Sequence, residues 1–352
     1  MKIAIDLTSL YKRVHTGVEI FAIDLYHALL KTDHTIIPIF NTKNEIDDNP
    51  NAYIIPYRPR LWMENISLDL TIRKIQADIV FFPVFPPPIT IYWGCKSKIY
   101  KVLHDTIFFH HRGTLNTAAK YYYTPKMKIM IKKADAILTI SHTIQQELEE
   151  ITGRKILYCG ENIASEYKNA NSRVNIEYLN KWNLQPNRYL VSVSTIEPRK
   201  NIKYLLKVVY KYLHENNMKL VLIGKVRETN DKELIDLINR MKDIIIFTGY
   251  IENDYLYTLY KYSSAFILLS IHEGFGRTPF EAIACGCKKI ILSDIAVFRE
   301  NFEGNASFLP LNNIPFCEDF FSKNEFKTIS DTFKIPFDTL ENNLNEILKK
   351  HN

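Results

Sequence analysis

The chain is predicted to be α/β, with two doubly wound, Rossmann-like parallel-sheet domains. Three observations carry this prediction. Short apolar runs of strand length alternate with amphipathic segments of helix length, the order that builds a parallel sheet covered by helices. The alternation stops over a polar stretch near the middle of the chain and then restarts. Finally, 352 residues exceed what one hydrophobic core usually organises, so two domains of about 150 to 180 residues are expected.

Taken in order, the first half offers strands at Ile3 to Ile5, Thr35 to Phe40, Ile79 to Phe82, Ile99 to Leu103, Ala136 to Ile140 and Lys155 to Tyr158. Met1 to Asp6 reads as a buried strand and not as a signal peptide, because it lacks a long apolar region and a small-residue cleavage site. Glu19 to Leu30 sets Ile20, Ile23, Leu25 and Ala28 among polar residues, which predicts an amphipathic helix. The apolar stretch from Ile79 to Trp93 contains Pro83, Pro86, Pro87 and Pro88. At about 15 residues it is too short and too broken by proline to cross a bilayer. Ser141, directly after Leu138-Thr139-Ile140, is placed as the N-cap of the next helix.

Residues 166–186 are polar and rich in Asn and lead into Gln185-Pro186-Asn187, so a linker is expected there. The first domain then covers 1–165 and the second 187–337. Strands of the second are predicted at Leu190 to Val193, Leu220 to Ile223, Ile244 to Phe247, Ala265 to Leu269 and Lys289 to Leu292. Leu340 to Lys350 reads as a closing helix.

Composition narrows the function. A hydrophobic content of 46% supports a fully folded protein, and five cysteines without a metal-ligand or disulfide spacing fit a reducing cytoplasm. A net charge of +6 with no recognisable binding module argues against nucleic acid. The positive charge is concentrated: from Arg60 to Lys133 there are twelve Lys and Arg against four acids. Residues 120–133 interleave Tyr121, Tyr122 and Tyr123 with Lys126, Lys128, Lys132 and Lys133, the composition of a helix lying on an anionic membrane or of a packed helix with solvated lysines.

The most informative stretch is His272-Glu273-Gly274-Phe275-Gly276-Arg277-Thr278-Pro279-Phe280-Glu281, followed by Ala282-Ile283-Ala284-Cys285-Gly286. It follows a predicted strand, and Pro279 suits a first helical turn. The order is strand, glycine-rich loop, helix. Gly274 and Gly276 let a ligand approach the backbone, and the free amides of a helix start attract an anion. Glu273 and Glu281 suit sugar hydroxyls, which donate strongly to an ionised carboxylate. A ligand with both phosphate and sugar fits both features. Upstream, Ser194-Thr195-Ile196-Glu197-Pro198-Arg199-Lys200-Asn201 also joins a strand to a helix, with two adjacent cations that can surround a diphosphate. Leu103-His104-Asp105 ends a first-half strand, and Gly17 closes the first strand-to-helix loop.

On these motifs the chain resembles the retaining glycosyltransferases of GT-B architecture known as family 4, or glycosyl transferases group 1, with mannosyltransferase- and rhamnosyltransferase-like members. Glu273 to Gly286 reproduces the family element E-G-F-G-x-x-x-x-E-A-x-A-C-G, and Glu197 to Asn201 its E-P-R-K-N loop. The resemblance implies that Arg199 and Lys200 hold the donor diphosphate, Glu273 the donor sugar and Glu281 the ribose. Thr195, Gly274, Phe275 and Gly276 would line the same donor site, with Tyr250 against the base. His104 would sit near donor sugar and acceptor, and Gly17 near the donor phosphates or acceptor. Both domains would then face one cleft, with the closing helix, about 338–352, packing back on the first domain.

The implied reaction moves a hexose from a nucleotide diphosphate sugar to a glycan or lipid-linked acceptor of a cell-surface polysaccharide, from the cytoplasm or the inner face of its membrane. No Asp-x-Asp occurs, so no metal or other cofactor is expected. Departures from the family lie at Cys287, Lys288 and Lys289, and at Arg277 and Thr278, all taken to lie outside the charge-bearing positions. A nucleotide-sugar epimerase or hydrolase on the same fold, or a non-catalytic partner subunit, are the rival readings.

Overall fold

The computed structural model describes residues 1–10, 16–42, 48–110, 119–194, 197–225 and 230–349. Its contacts divide the chain into unit 1, Met1–Asn162 with Asp338–Asn352, and unit 2, Ile163–Phe337. Each is a parallel α/β unit.

Unit 1 is built on strands β1 Lys2–Asp6, β2 Thr35–Asn41, β3 Tyr53–Ile55, β4 Ile79–Phe82, β5 Lys98–Leu103, β6 Ala136–Thr139 and β7 Leu157–Tyr158, in the order β3-β2-β1-β4-β5-β6-β7. Every pairing is parallel. A parallel sheet is covered on both faces, which is why β4, Ile-Val-Phe-Phe, is apolar at every position and buried throughout. The helices that matter below are α1 Gly17–Leu30, α2 Leu68–Ile75, α3 Thr124–Lys133 and α4 His142–Thr152. As the sequence indicated, Ser141 caps α4: its Oγ accepts from the Ile144 amide at 3.3 Å.

Unit 2 repeats the plan with β8 Tyr189–Val193, β9 Lys219–Ile223, β10 Ile245–Gly249, β11 Ala265–Leu268, β12 Ile290–Ser293 and β13 Ser307–Leu309, ordered β10-β9-β8-β11-β12-β13 and again all parallel. Its core packs Leu205, Leu206, Val209 and Leu213 of α5 Ile202–Glu215 against Leu190, Leu220 and Ile267 of the sheet. Helices α6 Asn253–Lys261 and α7 Arg277–Ala284 complete the elements used here.

The stretch expected to be a linker differs. Residues 165–173 and 176–182 are 3₁₀ helices of unit 2, and they bury Tyr167, Ala170 and Leu179. Tyr167 stands edge-on to Tyr257 of α6 at 5.3 Å, and Arg173 pairs with Asp254. A few well-spaced apolar residues were enough to dock a segment whose average composition is polar. Strands β3 and β13, three residues each, carry too little pattern to be read from sequence.

The closing helix α8, Thr339–Lys349, belongs to unit 1, where it buries Leu340, Leu344, Ile347 and Leu348. Its Glu341 receives Lys31 Nζ at 2.7 Å and Asn162 Nδ2 at 2.8 Å. Among the described residues no helix is long and apolar enough to cross a membrane.

Candidate functional site

In an open parallel sheet, ligands bind beyond the carboxyl ends of the strands where the strand order reverses. In unit 2 that reversal lies between β8 and β11. The loops leaving these two strands are the Glu197 to Asn201 loop and the Ile271 to Gly276 loop, so topology alone places the two sequence motifs side by side. They are zipped by the Ile271 amide, which donates to the Arg199 carbonyl at 2.9 Å. Asn201, at φ +53, turns the chain out of the short 3₁₀ helix Pro198–Lys200 into α5.

The side chains converge. Arg199 Nη1 donates to Glu273 Oε2 at 2.8 Å and to the His272 carbonyl at 3.1 Å, while Nη2 reaches Glu197 Oε1 at 2.9 Å. Lys200 Nζ donates to the other oxygen of Glu273, Oε1, at 2.6 Å. Glu273 is 8% exposed. Burial alone would raise its carboxyl, but the charges of Lys200 and Arg199 outweigh that and hold it at about 2. It is therefore ionised throughout the working range. Glu197, the first residue of this motif, is the second anchor of the guanidinium, and its spacing two residues before Arg199 is the sequence signal for it.

Behind this cluster, Gly276 is the N-cap of α7 at φ +91, a conformation that favours glycine, and a Cβ there would lie 2.7 Å from the Phe298 ring. Phe275 stacks on Phe280 at 5.2 Å, Phe280 meets Phe302 at 4.4 Å, and Asn301 Nδ2 donates to the Phe275 carbonyl at 2.7 Å. The helix start is thus held by an aromatic cage. Gly274 lies half-buried between Glu273 and Phe275.

Glu281 sits in α7 as expected and is buried. Burial pushes its carboxyl up, opposed by Arg277. Arg277 Nε is 3.7 Å from Glu281 Oε1, so the sequence reading that set Arg277 outside the charge-bearing positions is corrected. The i, i+4 spacing of the pair was the legible signal. Tyr250 follows β10 and is 72% exposed. Thr195 lies outside the described residues.

In unit 1, His104 follows β5 and its ring nitrogen Nε2 donates to the Pro83 carbonyl at 2.8 Å, with Phe21 of α1 edge-on at 4.7 Å. In the neutral ring this leaves the proton off Nδ1. Sequence reasoning missed Lys101, a base inside an apolar strand. It is 2% exposed, and its Nζ donates to the carbonyls of Phe82 at 3.0 Å and Val84 at 2.9 Å. Burial pushes its ammonium down to about 7, opposed by Asp6. Lys101 and His104 thus hold three successive carbonyls, from the last residue of β4 into the loop after it. Gly17 is the exposed first residue of α1, where Glu19 closes a cap on Thr16 at 2.8 Å.

The basic stretch 120–133 departs from the expected face. Lys126 is 3% exposed and lies over the Tyr122 ring, while Lys128, Lys132 and Lys133 are exposed. The apolar needs of the core claim one of the four bases.

Residues 175–307 match the family model described as glycosyl transferases group 1. Over 241 residues the chain is 29% identical to the serotype-specific mannosyltransferase WbdA of Escherichia coli, covering 62% of this chain and 29% of that protein. It is 26% identical over 207 residues to the O-antigen chain mannosyltransferase RfbU of Salmonella typhimurium, covering 59% and 55% of the two chains. It therefore spans about a third to a half of the length of these curated relatives. A glycosyltransferase from Rickettsia africae superposes with a TM-score of 0.70 at 21% identity, over 99% of this chain and 96% of that one. The chain has the GT-B fold of two parallel α/β units, is similar in sequence to O-antigen mannosyltransferases, and matches the glycosyl transferases group 1 model over residues 175–307.

Proposed function

We propose that this protein is a retaining, metal-independent glycosyltransferase. It transfers a hexose of the mannose class from a nucleotide diphosphate sugar to a glycan or lipid-linked glycan in the synthesis of an O-antigen-type polysaccharide. The observation that carries this reading is the convergence of Arg199 and Lys200 on buried Glu273 at the strand-order reversal of unit 2. Two cations fixed by one carboxylate keep their positions without reorganising, which is what stabilises charge developing on a leaving diphosphate. Glu273 retains a second lone pair on each oxygen and can accept from a sugar hydroxyl while still bound to both cations.

The roles divide accordingly. Arg199, Lys200 and the amino end of α7 receive the diphosphate, Glu273 the sugar, Glu281 the ribose and Tyr250 the base. His104, whose Nε2 donates to the Pro83 carbonyl, is assigned to the donor sugar and acceptor. No cation beyond these side chains is required for the leaving group. The site of action is the cytoplasm and the inner face of its membrane, where a lipid-linked acceptor would be met.

A thermal-shift screen with UDP, GDP and dTDP, followed by transfer assays in excess EDTA, tests the reading. One nucleotide should raise the melting temperature, since a ligand at a hundred times its Kd adds about 2.7 kcal/mol. The matching sugar nucleotide should yield, with acceptor, a product of unchanged anomeric configuration. Turnover that EDTA abolishes and Mg²⁺ restores would refute metal independence, and inversion would refute retention. Release of sugar or its epimer without acceptor would favour the hydrolase or epimerase reading.

A further inference from the structure

Helical residues 60–75 are apolar on two sides. Met63, Leu68 and Ile72 enter the unit 1 core. Trp62, Ile66 and Leu70 are also large and apolar, yet they are 54%, 39% and 62% exposed, and Leu61 beside them is 61% exposed. Residues four apart drift about 40° round a straight α-helix at each step. Here Met63–Ser67 is a π turn, which holds more residues per turn and takes up that drift. Trp62, Ile66 and Leu70 therefore stand in one outward row. At the end of the helix Arg73 donates to the carbonyls of Thr90 and Trp93, bringing Trp93, 61% exposed, alongside. An outward apolar row that long marks a contact surface and is not the scatter of single exposed residues found on any protein.

Charge selects the occupant. Between residues 56 and 98 the carboxylates Glu64 and Asp69 are buried and paired with Arg60 and Arg73. Arg58, Lys74, Lys96 and Lys98 are exposed, and the one exposed acid of that range, Asp78, is bonded to the Lys2 amide at 2.7 Å. The segment that carries the row thus exposes those four bases and one bonded acid, with two of the chain's three tryptophans in or beside the row. Tryptophan favours the boundary between apolar and wet surroundings.

We propose that the Trp62-Ile66-Leu70 row, with Trp93 and its flanking bases, seats unit 1 on an anionic phospholipid surface. The helix would lie in the headgroup layer with its row buried and its inner face still in the core. Its amino end reaches the loop that follows β4: Arg60 lies over the Phe85 ring at 4.2 Å. That loop is the one His104 and Lys101 hold, so the surface would bring a lipid-linked acceptor to the edge that carries His104. This consequence, though not the binding itself, rests on the function proposed above.

The test is sedimentation of the full chain with vesicles of phosphatidylglycerol or of phosphatidylcholine, at low and high salt, without donor or acceptor. Wild type should pellet with phosphatidylglycerol at low salt and be released by high salt. The triple variant Trp62→Ser, Ile66→Ser, Leu70→Ser should bind at least about ten-fold more weakly, having lost three buried apolar side chains, with an unchanged melting temperature and nucleotide response. Brominated phosphatidylglycerol should quench wild-type tryptophan emission, which keeps the test decisive should the triple variant fail to fold. Wild type left in the supernatant, equal pelleting of a folded triple variant, or absent quenching would overturn the proposal. So would a lipid-free dimer that the triple variant dissolves, because the row would then join two copies. Since no turnover is read, failure of the glycosyltransferase reading leaves this result standing, and the reverse.

Discussion

Glu273 is pulled two ways, by burial that favours the acid and by two cations that favour the anion, and the cations win. Because its folded value of about 2 lies below the ordinary glutamate range near 4.3, Glu273 contributes stability that is present above about pH 4.3 and lost as pH falls toward 2. Melting temperatures recorded from pH 7 down to 3 should therefore fall more steeply for wild type than for Glu273→Gln. Glu281 has the opposite sign: its carboxyl is raised, so its favourable contribution is present at low pH and lost as pH rises. Glu281→Gln should flatten that rise-dependent loss, and two variants with the same pH profile would sink the contrast. On catalysis, Arg199→Ala or Lys200→Ala should each lower turnover by about a hundred-fold or more, since each removes a preorganised charge from the leaving group. Steady-state kinetics with a correctly folded variant checks this, and near-normal turnover contradicts it.

At the scale of the element, α7 depends on how its first turn is entered. Gly276→Ala should destabilise unit 2 by about 1–3 kcal/mol, from the strain of a side chain at φ +91 and from the Phe298 ring in its path. Denaturant titration reads the loss. Adding Phe298→Ala should not restore stability, because the backbone strain remains and a cavity is added; full recovery would show that contact alone was at fault. The same helix shows what a sequence can and cannot disclose. Its place after an apolar strand, its Pro279 and its two glutamates were legible, because periodicity and glycine position are local properties. The Arg277–Glu281 pair carries the i, i+4 spacing of a helical ion pair, which is local as well. The aromatic cage was not legible: Phe302 reaches Phe280 across a fold that no local pattern encodes. For the same reason nothing local singles out Lys101, whose carbonyl partners lie at the end of the neighbouring strand β4 and in the loop after it. The docked 3₁₀ helices of residues 165–182 were hidden by averaging over a polar stretch.

For the molecule as a whole, unit 2 has its own sheet, core and cation cluster within residues 163–337. Expressed alone, that segment should fold cooperatively and keep the nucleotide-dependent thermal shift of the full chain, whereas residues 1–162 without α8 should be destabilised by the loss of Leu340, Leu344, Ile347 and Leu348. Circular dichroism melts of the two fragments check this, and an unfolded 163–337 fragment would contradict it. Unit 1 is completed only after the chain has travelled through the whole of unit 2 and come back. At that crossing the Ile163 amide donates to the Pro336 carbonyl at 2.8 Å, so the outgoing and returning strands are tied together. While unit 2 is folded, α8 is held near its dock as if by a short tether; when unit 2 unfolds, the same dock must close a loop the length of that unit, at a cost of about 4–5 kcal/mol in chain entropy. The effective concentration of α8 at unit 1 is therefore set by the integrity of unit 2, and a nucleotide that tightens unit 2 raises it without touching unit 1.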